Sequence, residues 1–442
     1  MLGNEWHIAG GKLARALLPR RLILHPDYFL VRNLNAKLEA GDQADCVPVL
    51  RERMRRVLIE AVGHVPHYRR GRISLDACRN EDPFALLGEF PYLTKDEVTR
   101  DPDSFVSERG SALLRYRKTS NGTSGQSVVM WRTKQLADIE KAFLDHHWSR
   151  WGWSAERSRI LRIGMDSIRR FDEPAFQRLR NRLMVSPFHL TDRWLPSIYE
   201  EAVRFAPEFF YAYPSCAVDL ARFIERSGRP PLKMKALVLT SEPLLQGDIG
   251  VLQTAFGAPI SVTYGQTERT NFAEATVLPG QSALTYRLNP LYAWQENYVH
   301  ADGRHEIVGT SYWNPVMPLI RYRTGDFGRI AEGVIERLEG RDLDYLVTKE
   351  GAKINGIAVA VELEQKGWAV LHQVQLYQPR PGHVVVRVVP RTGIAEDDVT
   401  RILQPLKRAW AGYFDMSHAI VGEIPKTKAG KTKWVSKDLA AL

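Results

Sequence analysis

A chain of 442 residues has room for two or three domains and a large core, and 44% hydrophobic with 25% charged residues is an ordinary globular balance. The net charge of +10 suits anionic partners such as nucleotides, CoA, nucleic acid or acidic lipid, and suits a plain basic surface equally well. A nucleic-acid-binding role would rest on charge alone, because no basic run carries interleaved aromatics.

Cys46, Cys78 and Cys216 stand far apart without CxxC spacing, which argues against a zinc site or disulfide framework; their odd number fits a reducing cytosol. No apolar run approaches the ~18 residues of a membrane helix. The N-terminus has no secretory apolar core before Arg15, so a cytoplasmic location is expected.

Residues 12–24 suit a short basic amphipathic helix, for docking on the fold or for peripheral contact with a membrane. Residues 1–110 read as a mostly helical lead-in. Leu50, Met54, Val57, Leu58, Ala61 and Val62 recur at helical spacing until Val65-Pro66 stops the run. Thr94 is placed to cap the next helix. Strand-like segments at 113–117 and 128–131 then flank the run Lys118-Thr119-Ser120-Asn121-Gly122-Thr123-Ser124-Gly125-Gln126-Ser127. Residues 133–148 have helical periodicity, broken at Gly152.

Short buried strands follow at 158–163 and 209–211, then a helix at 217–226. The continuous apolar run from Met234 to Leu239 suits a strand covered on both faces. Such alternation predicts an α/β fold, with a large layered N-terminal domain over residues 1–339. From Gly340 the texture changes: a hairpin at 345–354, a strand at 383–389, a helix at 395–410 and a last strand at 418–424. These describe a small, mobile α+β C-terminal domain over residues 345–442, joined by a hinge at 340–344.

The run at 118–127 is built of hydroxyls and glycines. Glycines let backbone N–H groups approach an anion closely, and Ser120, Thr123 and Ser124 add uncharged donors, as a polyphosphate cradle would need. A small-residue hairpin turn presents the same pattern. A Walker A loop is excluded, since Gln126 follows Gly125. Further on come Ser241-Glu242-Pro243, Tyr264-Gly265-Gln266-Thr267-Glu268, Arg321-Tyr322-Arg323-Thr324-Gly325-Asp326, Gly340-Arg341-Asp342-Leu343-Asp344 and Pro425-Lys426-Thr427-Lys428-Ala429-Gly430-Lys431.

Taken in order, over about residues 50–435, this series resembles the adenylate-forming superfamily of acyl-CoA synthetases, adenylation domains and luciferases. The stretch from Met317 to Asp326 looks most like the phenylacetate–CoA ligase branch, and Tyr213-Pro214-Ser215 like the CapK-like proteins.

The resemblance implies an ATP-dependent ligase that forms an acyl-adenylate with release of pyrophosphate and then makes a CoA thioester. Ser120, Gly122, Thr123, Ser124 and Gly125 would hold the departing phosphates. The backbone of Ser241, Glu242 and Pro243 would line the adenine pocket, Tyr264 would stack on the base, and Gly265 would belong to the nucleotide-binding set. Asp326 would take the ribose hydroxyls, and Arg341 the ribose or a phosphate. Thr267 would donate to the α-phosphate, Glu268 would hold Mg²⁺, and Lys431 would be the catalytic lysine bridging carboxylate and α-phosphate.

Two positions depart from the family pattern. Gln126 replaces a lysine, so that either Lys118 or Lys134 would compensate or the loop would work through backbone N–H groups alone, and Leu343 replaces the usual acidic or lysine pivot. A carboxylate pocket is expected around Trp148, Phe210, Tyr213 and the residues before Tyr264, aromatics that serve equally well as plain core, so no particular acid is implied. Transfer to an amine, giving an amide, and a non-catalytic nucleotide-binding relative are the alternative readings.

Overall fold

The computed structural model describes residues 23–109, 115–119, 128–167, 173–341, 345–351, 353–355, 359, 370–391, 393–425 and 433–437. Chain order begins with α1 (Pro26–Glu39) and α2 (Gln43–His64). Helix α2 buries Leu50, Met54, Val57, Leu58, Ala61 and Val62 along one stripe. It stops at Val65, held extended before Pro66. Thr94 caps α3 (Lys95–Arg100) through a reciprocal box, with its hydroxyl facing the Glu97 N–H and the Glu97 carboxylate facing the Thr94 N–H. The lead-in is locked to the later chain by Tyr68. Its hydroxyl donates to the Pro318 carbonyl and accepts from the Ile320 N–H, each at 3.0 Å.

Strands β1 (Arg115–Thr119) and β2 (Val129–Thr133) form an antiparallel pair whose last register partners are Thr119 and Val129. Helix α4 (Lys134–Ser149) follows, with Thr133 as its N-cap. Next come β3 (Ile160–Ile163), β4 (Phe176–Leu179), β5 (Arg182–Val185), α5 (Leu195–Phe205), β6 (Phe209–Ala212), α6 (Pro214–Arg226), β7 (Ala236–Thr240), α7 (Asp248–Phe256) and β8 (Ile260–Gly265). Helix α6 starts three residues before the expected 217, because Pro214 is preorganised for the first helical position.

An antiparallel series completes the large lobe: β9 (Phe272–Val277), β10 (Tyr286–Leu288), β11 (Ala293–Val299), β12 (His305–Ser311), β13 (Tyr322–Ala331) and β14 (Val334–Arg341). All twelve strands from β3 to β14 share one sheet, ordered β11-β12-β13-β14-β10-β9-β8-β7-β6-β3-β5-β4, in which β5, β3, β6, β7 and β8 run parallel.

The smaller lobe has its own apolar cluster, from Leu346 to Val435. Strands β15 (Tyr345–Val347) and β16 (Lys353–Asn355) pair antiparallel, as the expected hairpin does. Strands β17 (Leu371–Arg380) and β18 (His383–Pro390) are flanked by α8 (Glu396–Trp410), β19 (Asp415–Ile420) and β20 (Val435–Lys437). The strand expected at 418–424 is β19. It begins earlier because the Asp415 N–H already bonds the Gly382 carbonyl at 2.7 Å. Strand β20 is three residues long, too short to show a period of two, and exists through its parallel register with Leu376–Gln378 of β17. The molecule is therefore a mixed α/β protein with a large sheet-rich N-terminal part and a smaller α+β C-terminal part. Among the described residues no helix is long and apolar enough to cross a membrane.

Candidate active site

Parallel strands leave a crevice outside their carboxyl ends, where ligands of open α/β sheets bind. At that edge β7 ends in Thr240, and Ser241 turns the chain with φ 72°, a left-handed conformation that is uncommon for a residue other than glycine. The Glu242 carboxylate accepts from the Ser215 N–H at 3.1 Å, which fixes the turn to the N-terminus of α6, where the helix dipole favours an anion. Neighbouring β8 ends in Tyr264 and Gly265 and leads into Gln266, Glu268, Arg269, Thr270 and Asn271, all buried.

Three of these side chains meet β13. The Tyr264 hydroxyl donates to Asp326 Oδ2 at 3.0 Å, and Gln266 Nε2 donates to the Tyr264 oxygen at 2.6 Å and reaches the same carboxylate at 3.4 Å. Asp326 lies within β13, directly after Gly325, whose φ of 72° makes the strand irregular there. There the Thr324 hydroxyl accepts from the Asp326 N–H at 3.0 Å and Glu306 accepts from the Gly325 N–H at 2.8 Å. Arg341 is the register partner of Asp326 on β14. Glu268 accepts from the Tyr322 hydroxyl at 3.2 Å, with no other partner among the described residues. Among the described residues no group of three or more His, Cys, Asp or Glu could hold a metal ion.

Arg132 ties this turn to the hairpin, and Arg269 ties it to α4. The Arg132 guanidinium donates to the Thr267 carbonyl, while Arg269 donates to the Leu136 carbonyl at 2.9 Å and pairs with Glu140 of α4. Burial, then the neighbouring Arg269 charge, pulls the Arg132 pKa down. Neither arginine was expected to act here. The available signal was that Arg132 shares the inward parity of β2 with Met130.

The cradle residues Ser120, Gly122, Thr123, Ser124 and Gly125, with Gln126, lie outside the described residues. The β1–β2 hairpin that carries them ends beside Thr267 through Arg132. Lys134 is not a substitute for the missing loop lysine. Its ammonium is held by Asp138 at 2.5 Å and by the Ile23 carbonyl, toward α1. Lys428, Lys431 and the hinge residues 342–344 also fall outside. The flanks of the lysine loop converge on β17, where Gln373 accepts from the Ile424 N–H at 3.0 Å and Gln375 donates to the Lys433 carbonyl at 3.1 Å.

Beneath α4, on the same face of the sheet, lies a cavity of about 190 Å³ walled chiefly by Leu144, Trp148, Trp153, Ile160, Arg162 and Tyr211. Glu140, partner of Arg269, is among the residues that line it. Of the residues expected around the acid, Trp148 lines this cavity, whereas Phe210 and Tyr213 do not. Side chains alternate along β6, so Phe210 joins the apolar core on the opposite face; Tyr213, beyond the strand end at the N-cap of α6, is buried in the same core. Tyr211 takes their place, with Arg162 lying 4.0 Å above its ring. Burial pushes the Tyr211 phenol above its ordinary range, so it stays a neutral donor.

Residues 346–438 match the family model of the CapK C-terminal domain. Protein CapK of Staphylococcus aureus is 20% identical over 379 residues, which cover 80% of this chain and 81% of that protein. A structure of 2-hydroxyisobutyryl-CoA ligase in the postadenylation state, in complex with 2-HIB-AMP, superposes with a TM-score of 0.66 at 16% identity over 90% of each chain. The anthranilate CoA ligase AuaEII in complex with anthranoyl-AMP gives a TM-score of 0.50 at 18% identity, over 72% of this chain and 64% of that one.

Proposed function

We propose that this chain, which has the adenylate-forming fold and a CapK-type C-terminal domain, is an ATP-dependent ligase that activates a carboxylic acid as its acyl-adenylate. One observation carries the reading: the residues around Tyr264, Thr267 and Glu268 converge with Asp326 and with Ser241 at one edge of the sheet, although the Tyr264–Asp326 bond spans 62 residues of sequence. A purely structural cluster has no need of a phenol, an amide and a carboxylate gathered at a strand end.

In this reading residues 241–243 and 265 border the adenine, Tyr264 presents its ring to it, and Asp326 accepts from the ribose hydroxyls. Arg341, one strand over, reaches ribose or phosphate. Thr267 donates to the α-phosphate, and backbone N–H groups of residues 120–125 receive the β- and γ-phosphates. Glu268 suits Mg²⁺, a hard cation usually held by one or two carboxylates together with phosphate oxygens and water. When bound, Mg²⁺ neutralises charge on the departing pyrophosphate.

Lys431 neutralises the carboxylate and α-phosphate as the two anions approach, so that the acid oxygen forms its bond to phosphorus while pyrophosphate leaves. The acyl group then passes to CoA as a thioester, with AMP released. Residues 340–344 serve as the pivot between the two steps, and Leu343 does not prevent it, because a hinge requires only backbone freedom.

A panel of carboxylic acids scored for pyrophosphate release tests the reading, with product identification after adding CoA or an amine. Thioester is the expected product; an amide would move the second step to the alternative acceptor, and no pyrophosphate with any acid would overturn adenylation. Lys431→Ala should lower adenylate formation by ~10²–10³ with ATP affinity retained. Undiminished activity would remove Lys431 from the chemistry.

A further inference from the structure

One lysine of the C-terminal lobe has surroundings unlike those of the other lysines. Lys37, Lys134, Lys141, Lys235 and Lys349 each pair with a carboxylate, which keeps the ammonium charged. Lys407, in the last turn of α8, has no carboxylate partner among the described residues. Its Nζ stands 2.8 Å from His418 Nδ1 on β19, and His418 Nε2 stands 3.4 Å from the Thr400 hydroxyl of α8. An ammonium only donates, so Nδ1 is the acceptor, and the ring proton is on Nε2, facing the Thr400 oxygen.

The fold brings these three together. Thr400 and Lys407 lie two turns apart on one face of α8, beside the buried Val399, Leu403 and Leu406. His418 is the register partner of Val386, on the face whose valines 384, 386 and 388 pack in the same apolar cluster as that helix. The valines carry no charge, so the charged groups acting on His418 are Lys407 and Glu396 of the first helical turn. Thr400, Lys407 and His418 are all half-buried, so none is sealed from solvent.

Burial lowers the Lys407 pKa, which enlarges the share of free amine. Burial, then the Lys407 charge, lowers that of His418, so the imidazole is neutral above about pH 6.5. An amine beside a neutral base, with a third group orienting that base, is the arrangement of an activated nucleophile.

We propose that Lys407 is an acylation site, with His418 as its base and Thr400 orienting the ring. An amine takes an acyl group readily when the leaving group is good, so the donor is a mixed anhydride of a carboxylic and a phosphoric acid. Acyl-adenylates and acyl phosphates share that chemistry. The Lys407 nitrogen bonds to the carbonyl carbon, the bond from that carbon to the phosphoryl oxygen breaks, and AMP or phosphate leaves with the electron pair. His418 Nδ1 takes the amine proton, and the product is a neutral amide. The site uses no residue of the nucleotide edge; only the adenylate as donor rests on the adenylation reading.

The test treats the full-length protein with acetyl phosphate and follows each lysine by peptide mass spectrometry over time and pH. Lys407 should react at least about tenfold faster than Lys235, which Glu208 pairs at 2.7 Å. That ratio should fall as pH drops below about 6.5 and His418 takes up a proton. His418→Phe should remove both the excess rate and the pH step while Lys235 keeps its rate, and Thr400→Val should slow Lys407 a few-fold. The pH step of the unsubstituted protein decides the matter even if His418→Phe does not fold. Lys407 reacting no faster than Lys235, a ratio flat with pH, or an undiminished rate in His418→Phe overturns the assignment.

A second arm replaces acetyl phosphate with ATP and the panel of acids. Acylation of Lys407 there supports the chain's own adenylate as donor, and labelling by acetyl phosphate alone supports the site with an outside donor. Labelling by acetyl phosphate with no pyrophosphate released from any acid would sink adenylation and leave Lys407. Pyrophosphate release with Lys407 inert to both donors would sink the acylation site alone.

Discussion

The two faces of the central sheet are made by the same strands and differ in everything else. One face presents Leu161, Ile163, Phe210, Ala212, Leu237, Leu239, Ile260 and Val262 to α5, α6 and α7, and every one of them is fully buried in an apolar cluster. The opposite face presents Ile160, Arg162, Phe209, Tyr211, Ala236, Val238, Ser261 and Thr263 toward α4. There His147 joins Ser261 at 2.9 Å and Glu274 at 2.6 Å, Thr263 donates to Thr240 at 3.1 Å, and a cavity remains. Alternation along each strand divides the labour: one parity maintains the fold, and the other carries polar groups that each need a named partner.

Phe210→Ala gives the largest expected effect. Fully buried and packed edge-on to Phe256 at 5.3 Å, Phe210 cannot be truncated without leaving a cavity, and the variant should lose about 3–5 kcal/mol of stability in denaturant unfolding. A loss under about 1 kcal/mol would mean that this face is not the structural one.

On the α4 face the counterpart is Asp145, which holds Tyr28, Trp153 and Lys141 together. Asp145→Ala removes the acceptor of three donors and should cost about 2–3 kcal/mol. Burial would raise the Asp145 carboxyl, but Lys141 and the bonds from Trp153 and Tyr28 outweigh it and hold it below the usual carboxylate range. A lowered folded pKa stabilises the protein above the unfolded value of about 4, and that contribution is lost as pH falls through the folded value. The stability gap between wild type and Asp145→Asn should therefore shrink on acidification below about pH 4. A gap that is constant with pH would show that the ionised carboxylate contributes nothing.

How much of this could be read in advance follows from the same contrast. The apolar parity was legible: the run through Leu237 and Leu239, the stripe on α2 and the Thr94 cap are local patterns that tertiary structure did not override. The antiparallel half of the sheet was not. Strand β13 carries Gly325 and Gly328 and shifts register on either side of Gly328, which destroys a period of two. Strand β11 leaves Gln295, Glu296 and Asn297 half-covered and exposes Trp294 and Val299, so it shows no hydrophobic face. The motifs named the residues of the nucleotide edge, but the pairing of Tyr264 with Asp326 and the tie from Arg132 to Thr267 join distant segments, and no local rule announces them. Phe210 was assigned to the acid pocket because composition alone does not reveal which parity faces which helix.

Tyr211→Phe is the smallest expected change and the sharpest use of the comparison. It sits one residue from Phe210, on the other parity. Its ring lies under Arg162 and its hydroxyl has no hydrogen-bond partner among the described residues, so removing the oxygen keeps the packing and the cation–π contact. Stability should stay within about 0.5 kcal/mol of wild type, against several for its neighbour. If Tyr211→Phe destabilised the protein as much as Phe210→Ala does, the phenol would belong to the core, and the division of labour between adjacent residues of β6 would fail.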